Sequence, residues 1–259
     1  MSIKLPEGYG LRILDAVDST NAEAARIAAS LSGPEWILGL RQTKGRGRCG
    51  RAWWDSAGNF AASLVLFPQQ TPNLIALRSF VAALALFDAF VAVTGRTEAL
   101  ALKWPNDVLL NGGKVAGILL ETIALKGGGC ALAIGVGVNL VQVPPKTALE
   151  TQAMAPVSLL SETDMSIAPE EFLGGLAEAY ARYETQFDGF GFAPIRQAWL
   201  ARAARLGEQI TARTGSQDVT GRFDTIDETG HLILTTAQGR RAIAAADIFF
   251  RGAADVTGD

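Results

Sequence analysis

The segment KGRGRCGR, residues 44–51, sets four cationic side chains and three glycines in eight residues of a 259-residue chain whose formal net charge is −3. Lys44, Arg46, Arg48 and Arg51 make a local positive field against an acidic background, and the glycines let the backbone wrap a ligand closely. Phosphate is the natural occupant of such a loop; a mobile surface loop kept soluble by arginine is the plain alternative. The run from Gly45 also has the G-x-G-x-x-G spacing of dinucleotide-binding turns. That fingerprint requires a helix directly after the turn, whose amides hold pyrophosphate, and RAWWDSAGNF has no helical pattern. The spacing alone therefore argues weakly for a nicotinamide or flavin. Trp53 and Trp54 add flat surfaces that either cover a nucleobase or bury themselves in the core.

Other residues able to do chemistry lie further along. Lys114 follows the turn signal at Asn111 to Gly113 and opens an apolar strand, where an exposed turn lysine is the ordinary reading. In CALAIGVGVNL, strand alternation puts Gly135, Gly137 and Asn139 on one face and Val136, Val138 and Leu140 on the other. One face then has a slot where something approaches the backbone. Nucleophiles are scarce: Cys49 and Cys130 are too few for a disulfide framework or a structural zinc site, and the single histidine, His231, sits in a turn entering a strand.

These residues need elements to hold them. LRILD at 11–15 reads as a strand, and the following DSTNAEAARIAASL as a helix, with Thr20 and Glu23 at capping-box spacing. WILGL, the Gly/Arg loop and FAASLVLF read as strand, long loop, strand. A helix is expected from Asn73 to Val93, then three strands in LALKWPNDVLLNGGKVAGILLETIAL separated by turns at Pro105 to Asp107 and Asn111 to Gly113. A fourth strand follows KGGG, then a loop-rich connection to Ser166, then two helices, PEEFLGGLAEAYARYETQF and PIRQAWLARAARL. From Leu206 short strands broken by TGS, DETG and AQG predict a small all-β barrel. With 49% hydrophobic and 19% charged residues the composition is that of an ordinary soluble protein. The most apolar run, FVAALALFDAFVAV, is short for a membrane span and is interrupted by Asp88. No signal peptide or membrane segment is expected, and the cytoplasm is the expected location.

DSTN at 18–21, QTKGRGRCGRAW at 42–53, KWPND at 103–107, GKVAGILLE at 113–121 and GVGVN at 135–139 resemble, in order, the signature blocks of biotin protein ligases. The resemblance implies an α+β fold: a mixed central β-sheet flanked by helices, as in class II synthetase-like biotin ligase catalytic domains, over residues 1–205, and an SH3-like C-terminal barrel over 206–259. It implies a two-step reaction in which biotin and ATP give biotinyl-5′-AMP, and a lysine of a biotin carboxyl carrier domain then takes the biotinyl group. Carried over by motif, Ser19, Thr20, Asn21 and Gln42 line the biotin end. Arg46, Gly47 and Arg48 close over biotin and the phosphoryl group, folding a loop expected to be disordered without ligand. Lys114 meets the biotin carboxylate and the growing phosphate charge, so Lys114, Arg46 and Arg48 are the expected catalytic residues. Lys103, Asn106 and Asn139 surround ATP, with Arg51 near phosphate and Trp53 near adenine.

Asp107 either orients or deprotonates the acceptor lysine or merely forms the turn. Magnesium is expected with the nucleotide rather than in a protein cage. Cys49 departs from the RGRRGR of many relatives and leaves the loop one arginine fewer for phosphate. Only eighteen residues precede Ser19, too few for the helix-turn-helix of repressor-type relatives, so no direct DNA binding is expected. An exposed sheet edge suits a homodimer or a monomer equally. The rivals are a lipoate or octanoate ligase or transferase of the same superfamily and a non-catalytic biotin-binding regulator.

Overall fold

A computed structural model describes residues 3–54, 56–145, 154–214 and 217–250. Seven strands form the larger sheet: β1 (Gly10–Leu14), β2 (Glu35–Gly39), β3 (Phe60–Leu66), β4 (Leu100–Lys103), β5 (Asp107–Leu110), β6 (Gly113–Ala124) and β7 (Cys130–Val138). Their order is β1-β2-β3-β7-β6-β5-β4, with β1 and β2 parallel and every other pair antiparallel, so the sheet is mixed as expected. The outer edge of β4 is bonded to the segment at 202–204, through Leu102 N to Arg202 O and Ala204 N to Leu102 O, both 2.8 Å.

Helix α1 (Thr20–Ile27) lies on one face, where Ala24 and Ala28 cluster with Ile37, Val65, Ala131 and Ala133. The opposite face carries α3 (Arg78–Thr94) and α5 (Pro169–Phe190) and holds the main core. The helix expected over 73–93 is broken near Leu77 into α2 (Pro72–Ala76) and α3. Together Pro72–Thr94 is longer than the apolar run suggested, and by length and hydropathy it could cross a membrane; 72% of its apolar window is buried inside this fold instead. Asp88, its charged interruption, faces α5 and bonds Arg182 and Tyr183. A short α4 (Leu159–Thr163), capped reciprocally by Ser158 and Ser161, lies in the stretch read as loop. Helix α6 (Phe192–Leu200) then leads into the second sheet.

Strands β8 (Gln209–Arg213), β9 (Asp218–Ile226), β10 (Leu232–Thr236), β11 (Gly239–Ile243) and β12 (Asp247–Phe250) form an antiparallel sheet ordered β11-β10-β9-β8-β12. Strand β9 pairs with β8 through its first half and with β10 through its second. The all-β domain is therefore present, but among the described residues no β11 to β12 pairing closes the expected barrel.

One local expectation is corrected. The cap of α1 is Ser19, whose extended backbone and side-chain oxygen, 3.5 Å from Ala22 N, fit that role; Thr20 is the first helical residue. Glu23 pairs with Arg26 instead of closing a capping box.

Candidate active site

The glycine/arginine segment folds back on itself. Arg46 bridges Ala52, Gly47 N donates to Arg51 O at 2.7 Å, and Trp53 N donates to Gly45 O at 2.9 Å. At its tip Cys49 takes φ 55°, a left-handed conformation unusual for a residue with a side chain. Among the described residues the next element is the strand β3 and not a helix, which removes the dinucleotide reading. The base of the segment is tied to the start of α1 by Thr43 N to Val17 O and Lys44 N to Asp18 O.

Lys114 reaches the same place through a defect in its strand. Asn111 and Gly112 both have positive φ, 48° and 80°, and form the two-residue loop between Leu110 and its partner Gly113, as Asn-Gly predicts. The β5–β6 register then slips: Leu109 faces Lys114 but Val108 faces Ala116. Such a bulge reverses the alternation locally. Val115 enters the core, while Lys114 shares the site face with Gly117, whose position lies 3.4 Å from Nζ if a Cβ is placed there.

At one end of the cleft a buried polar cluster surrounds the helix start. Gln42 Oε1 accepts from Thr20 N at 2.8 Å and lies 3.2 Å from Thr20 Oγ1. The Ser63 hydroxyl is 2.8 Å from Thr20 Oγ1 and 2.6 Å from Asn21 Oδ1. The amide oxygen can only accept, so the Ser63 proton goes to Asn21. Asn21 Nδ2 in turn donates to Glu121 at 2.7 Å, and the same carboxylate oxygen pairs with Arg46 at 3.5 Å. Gly135 is the floor beneath Asn21, with no room for a Cβ.

At the other end the second sheet closes the cleft. Arg51 forms a two-pronged pair with Asp247 of β12, and Arg48 Nη1 lies 3.4 Å from both Asn106 Oδ1 and Ala246 O. Hydrogen bonding from Arg51, aided by Arg48 and Lys103 and opposed by partial burial, holds the Asp247 carboxyl below its ordinary range. Asn106 is fixed to β6 through Nδ2 to Ile118 O at 2.6 Å, and Asn139 to the segment before α4 through Nδ2 to Val157 O at 3.1 Å. Between the ends, Lys103 and Lys114 flank Asp107 at 3.5 and 2.6 Å. The whole is one cleft of about 660 Å³, large enough for a small acid and a nucleotide.

Residues 14–139 match the biotin/lipoate A/B protein ligase family, and residues 206–251 match the biotin protein ligase C-terminal domain. The chain is 55% identical to a biotin–[acetyl-CoA-carboxylase] ligase of Paracoccus denitrificans, over 93% of this chain and 100% of that protein. The chain belongs to the biotin protein ligases. It is 33% identical to the bifunctional ligase/repressor BirA of Bacillus subtilis, over 93% of this chain and 74% of that one. A biotin protein ligase from Aquifex aeolicus, solved in complex with biotin and ATP, superposes with a TM-score of 0.79 at 27% identity, covering 92% of this chain and 97% of that one.

In this biotin protein ligase the residues given roles from the signature blocks line one cleft: the Ser19–Asn21 cap, Gln42, Arg46, Gly47, Arg48, Arg51, Trp53, Lys103, Asn106, Lys114 and Asn139, while Cys49 and Gly50 at the loop tip are not part of the lining. Sequence reasoning missed three kinds of neighbour. Ser63 had a signal, as the one polar residue in FAASLVLF, and Glu121 stood inside a quoted motif without a role. Asp247 and its neighbours Ile248 and Phe249 come from β12 and carried none.

Proposed function

We propose that this cleft activates biotin with ATP and then biotinylates a lysine of a biotin carboxyl carrier domain. In the first step a biotin carboxylate oxygen bonds to the α-phosphorus, the bond to the β-phosphate oxygen breaks, and pyrophosphate leaves. In the second the acceptor amine bonds to the acyl carbon, the carbon–oxygen bond of the mixed anhydride breaks, and AMP leaves with the amine proton passing to solvent. The observation that carries the reading is the convergence of Lys114, Lys103 and the arginine loop on one cleft whose far end is a buried polar cluster. Two anions must meet, and fixed cations oppose their repulsion without reorganising during the reaction.

The polar cluster of Thr20, Asn21 and Gln42 suits the ureido ring, because a helix start offers amides and hydroxyls in a site that excludes water. Lys114 receives the carboxylate. Arg46 and Arg48 cover the acyl phosphate once they exchange Glu121 and Asn106 for ligand, with the Gly47 backbone between them, and the covered anhydride is kept from water. Arg51, Lys103, Asn106 and Asn139 take the nucleotide, and Trp53 supplies its aromatic wall. Magnesium enters on the triphosphate as part of the substrate. The proposal includes a cytoplasmic enzyme that does not bind operator DNA, with domains meeting near Leu206; the outer edge of β1 is where a second copy would pair.

The deciding experiment incubates the protein with a carrier domain and follows the carrier mass. A single biotinyl addition that needs both biotin and ATP supports the reading. Adenylate formed equally from lipoate or octanoate would replace it with the fatty-acid activity of the same superfamily, because a pocket built for a ureido ring leaves polar groups unpaired around an alkyl chain.

A further inference from the structure

Asp107 opens β5 and lines the cleft between its two ends, 8% exposed. Strands β4 and β6 flank β5, and each contributes one lysine: Lys103 Nζ is 3.5 Å from Asp107 Oδ2, and Lys114 Nζ is 2.6 Å from Oδ1. Lys103 stands directly across from Asp107 in the ladder, and the residue on its other side is Gly117, which leaves Lys114 the room to reach over. Each carboxylate oxygen therefore has its own ammonium. A base for the acceptor amine needs an oxygen free of a cation, and both oxygens of this carboxylate are paired.

We infer that Asp107 is a positioning residue: its carboxylate holds Lys103 and Lys114 at a fixed separation and keeps both charged, and it does not take the proton of the acceptor lysine. The inference rests on the reading of Lys114 as the group that meets the biotin carboxylate. Two ammoniums sharing one small site repel, and without a counter-charge one of them sheds its proton. The electrostatics agree. Burial would raise the Asp107 carboxyl, but Lys114 and Lys103 hold it below its ordinary range, while burial lowers Lys103 against the pull of Asp107. Among the described residues, Asp247 of β12 favours the Lys103 charge, and Arg48 of the loop acts on Asp247 rather than on the cluster itself.

The test separates the two chemical steps. Pyrophosphate exchange reports adenylate formation, and supplied biotinyl-5′-AMP with a carrier domain reports transfer, each followed from about pH 6 to pH 10. For Asp107→Asn, exchange falls about tenfold or more and its alkaline limb moves down by about one pH unit, while transfer at high pH changes by less than about threefold. For Lys103→Met, which removes the competing cation and leaves the Asp107–Lys114 pair, the alkaline limb moves up. Loss of transfer with exchange intact in Asp107→Asn would make Asp107 the base and overturn the inference. A limb that stays or falls in Lys103→Met overturns it also, whether or not the first variant folds. Failure of the wild type to exchange pyrophosphate with biotin present would instead remove the underlying function.

Discussion

The Trp53 indole takes the space of a side chain on Gly137: a Cβ there would come within 2.4 Å of Trp53 Cε2. Gly117 faces Gly137 in the β6–β7 ladder, and its own Cβ would meet the far edge of the same ring at 3.2 Å. Two glycines on adjacent strands thus form a floor for one indole, which also lies 5.7 Å from Lys114 Nζ. Neither glycine has a positive φ, so the requirement is for room rather than for backbone freedom.

Gly137→Ala should therefore expel the indole from its floor. Overpacking of this kind costs roughly 1–3 kcal/mol when it must be absorbed by a rigid core, but here the ring belongs to a loop and can move. The expected result is a thermal midpoint only a few degrees lower, with the KM for ATP raised about tenfold or more. Unchanged kinetics would show that the position of Trp53 has no bearing on the nucleotide.

Ser63→Ala tests the buried end. The hydroxyl is fully buried and its proton serves Asn21 Oδ1. Its loss leaves a buried acceptor unsatisfied, at about 1–3 kcal/mol, and frees the Asn21 amide to turn. Biotin affinity measured by calorimetry should fall about tenfold, with the KM for ATP unchanged. Equal affinity in the variant would remove Ser63 from the recognition network.

The pair between Arg51 and Asp247 joins the loop to the second sheet across 196 residues of sequence. Both side chains are partly exposed, so Asp247→Ala should scarcely move the thermal midpoint. It should speed hydrogen exchange at Gly47 and Trp53, whose amides close the loop. The pH dependence follows from the sign of the shift. The folded carboxyl lies below the unfolded value of 3.8, so the contribution is present above that pH and is lost as pH falls through the lower folded value. Protection that survives in the variant would mean that the loop holds its shape without β12.

How much of this the sequence carried depends on range. The Asn111-Gly112 turn was legible because a two-residue hairpin demands positive φ twice, and the glycine face of β7 because strand alternation is local. The bulge that turns Lys114 toward the site was not, since no residue type marks the slip at Val115. Ser19 and Thr20 are both good caps one residue apart, and the choice falls to Ser19 because the Thr20 amide and hydroxyl meet Gln42, twenty-two residues away. Asp247 sits in DIFF, which reads locally as one more strand. That this strand closes the cleft is a fact of tertiary packing.

Behind the site, α3 and α5 are joined by a buried charge cluster. Arg78 opens α3 almost wholly buried, pairing with Glu184 of α5 at 2.6 Å and with Asp188 at 3.3 Å, over the ring of Phe187. Tyr180 donates to the other Glu184 oxygen at 2.9 Å, and Tyr9 nearby is pushed up to about 12, first by burial and then by Glu184 and Asp188. Arg78→Met leaves Glu184 buried without its cation and should cost about 3–5 kcal/mol, whereas Arg78→Met with Glu184→Leu should recover most of that loss. Burial holds the Glu184 carboxyl above its ordinary 4.5 even though Arg78 and Tyr180 pull it down. A raised carboxyl means that the folded state binds the proton more tightly, so this group's contribution is full below 4.5 and declines as pH rises through the folded value. Removing Arg78 takes away the main group opposing that rise, so denaturant midpoints of the single variant should fall more steeply with pH than those of the wild type. A double variant no more stable than Arg78→Met would show that the helices are joined by the shape of these side chains rather than by their charges.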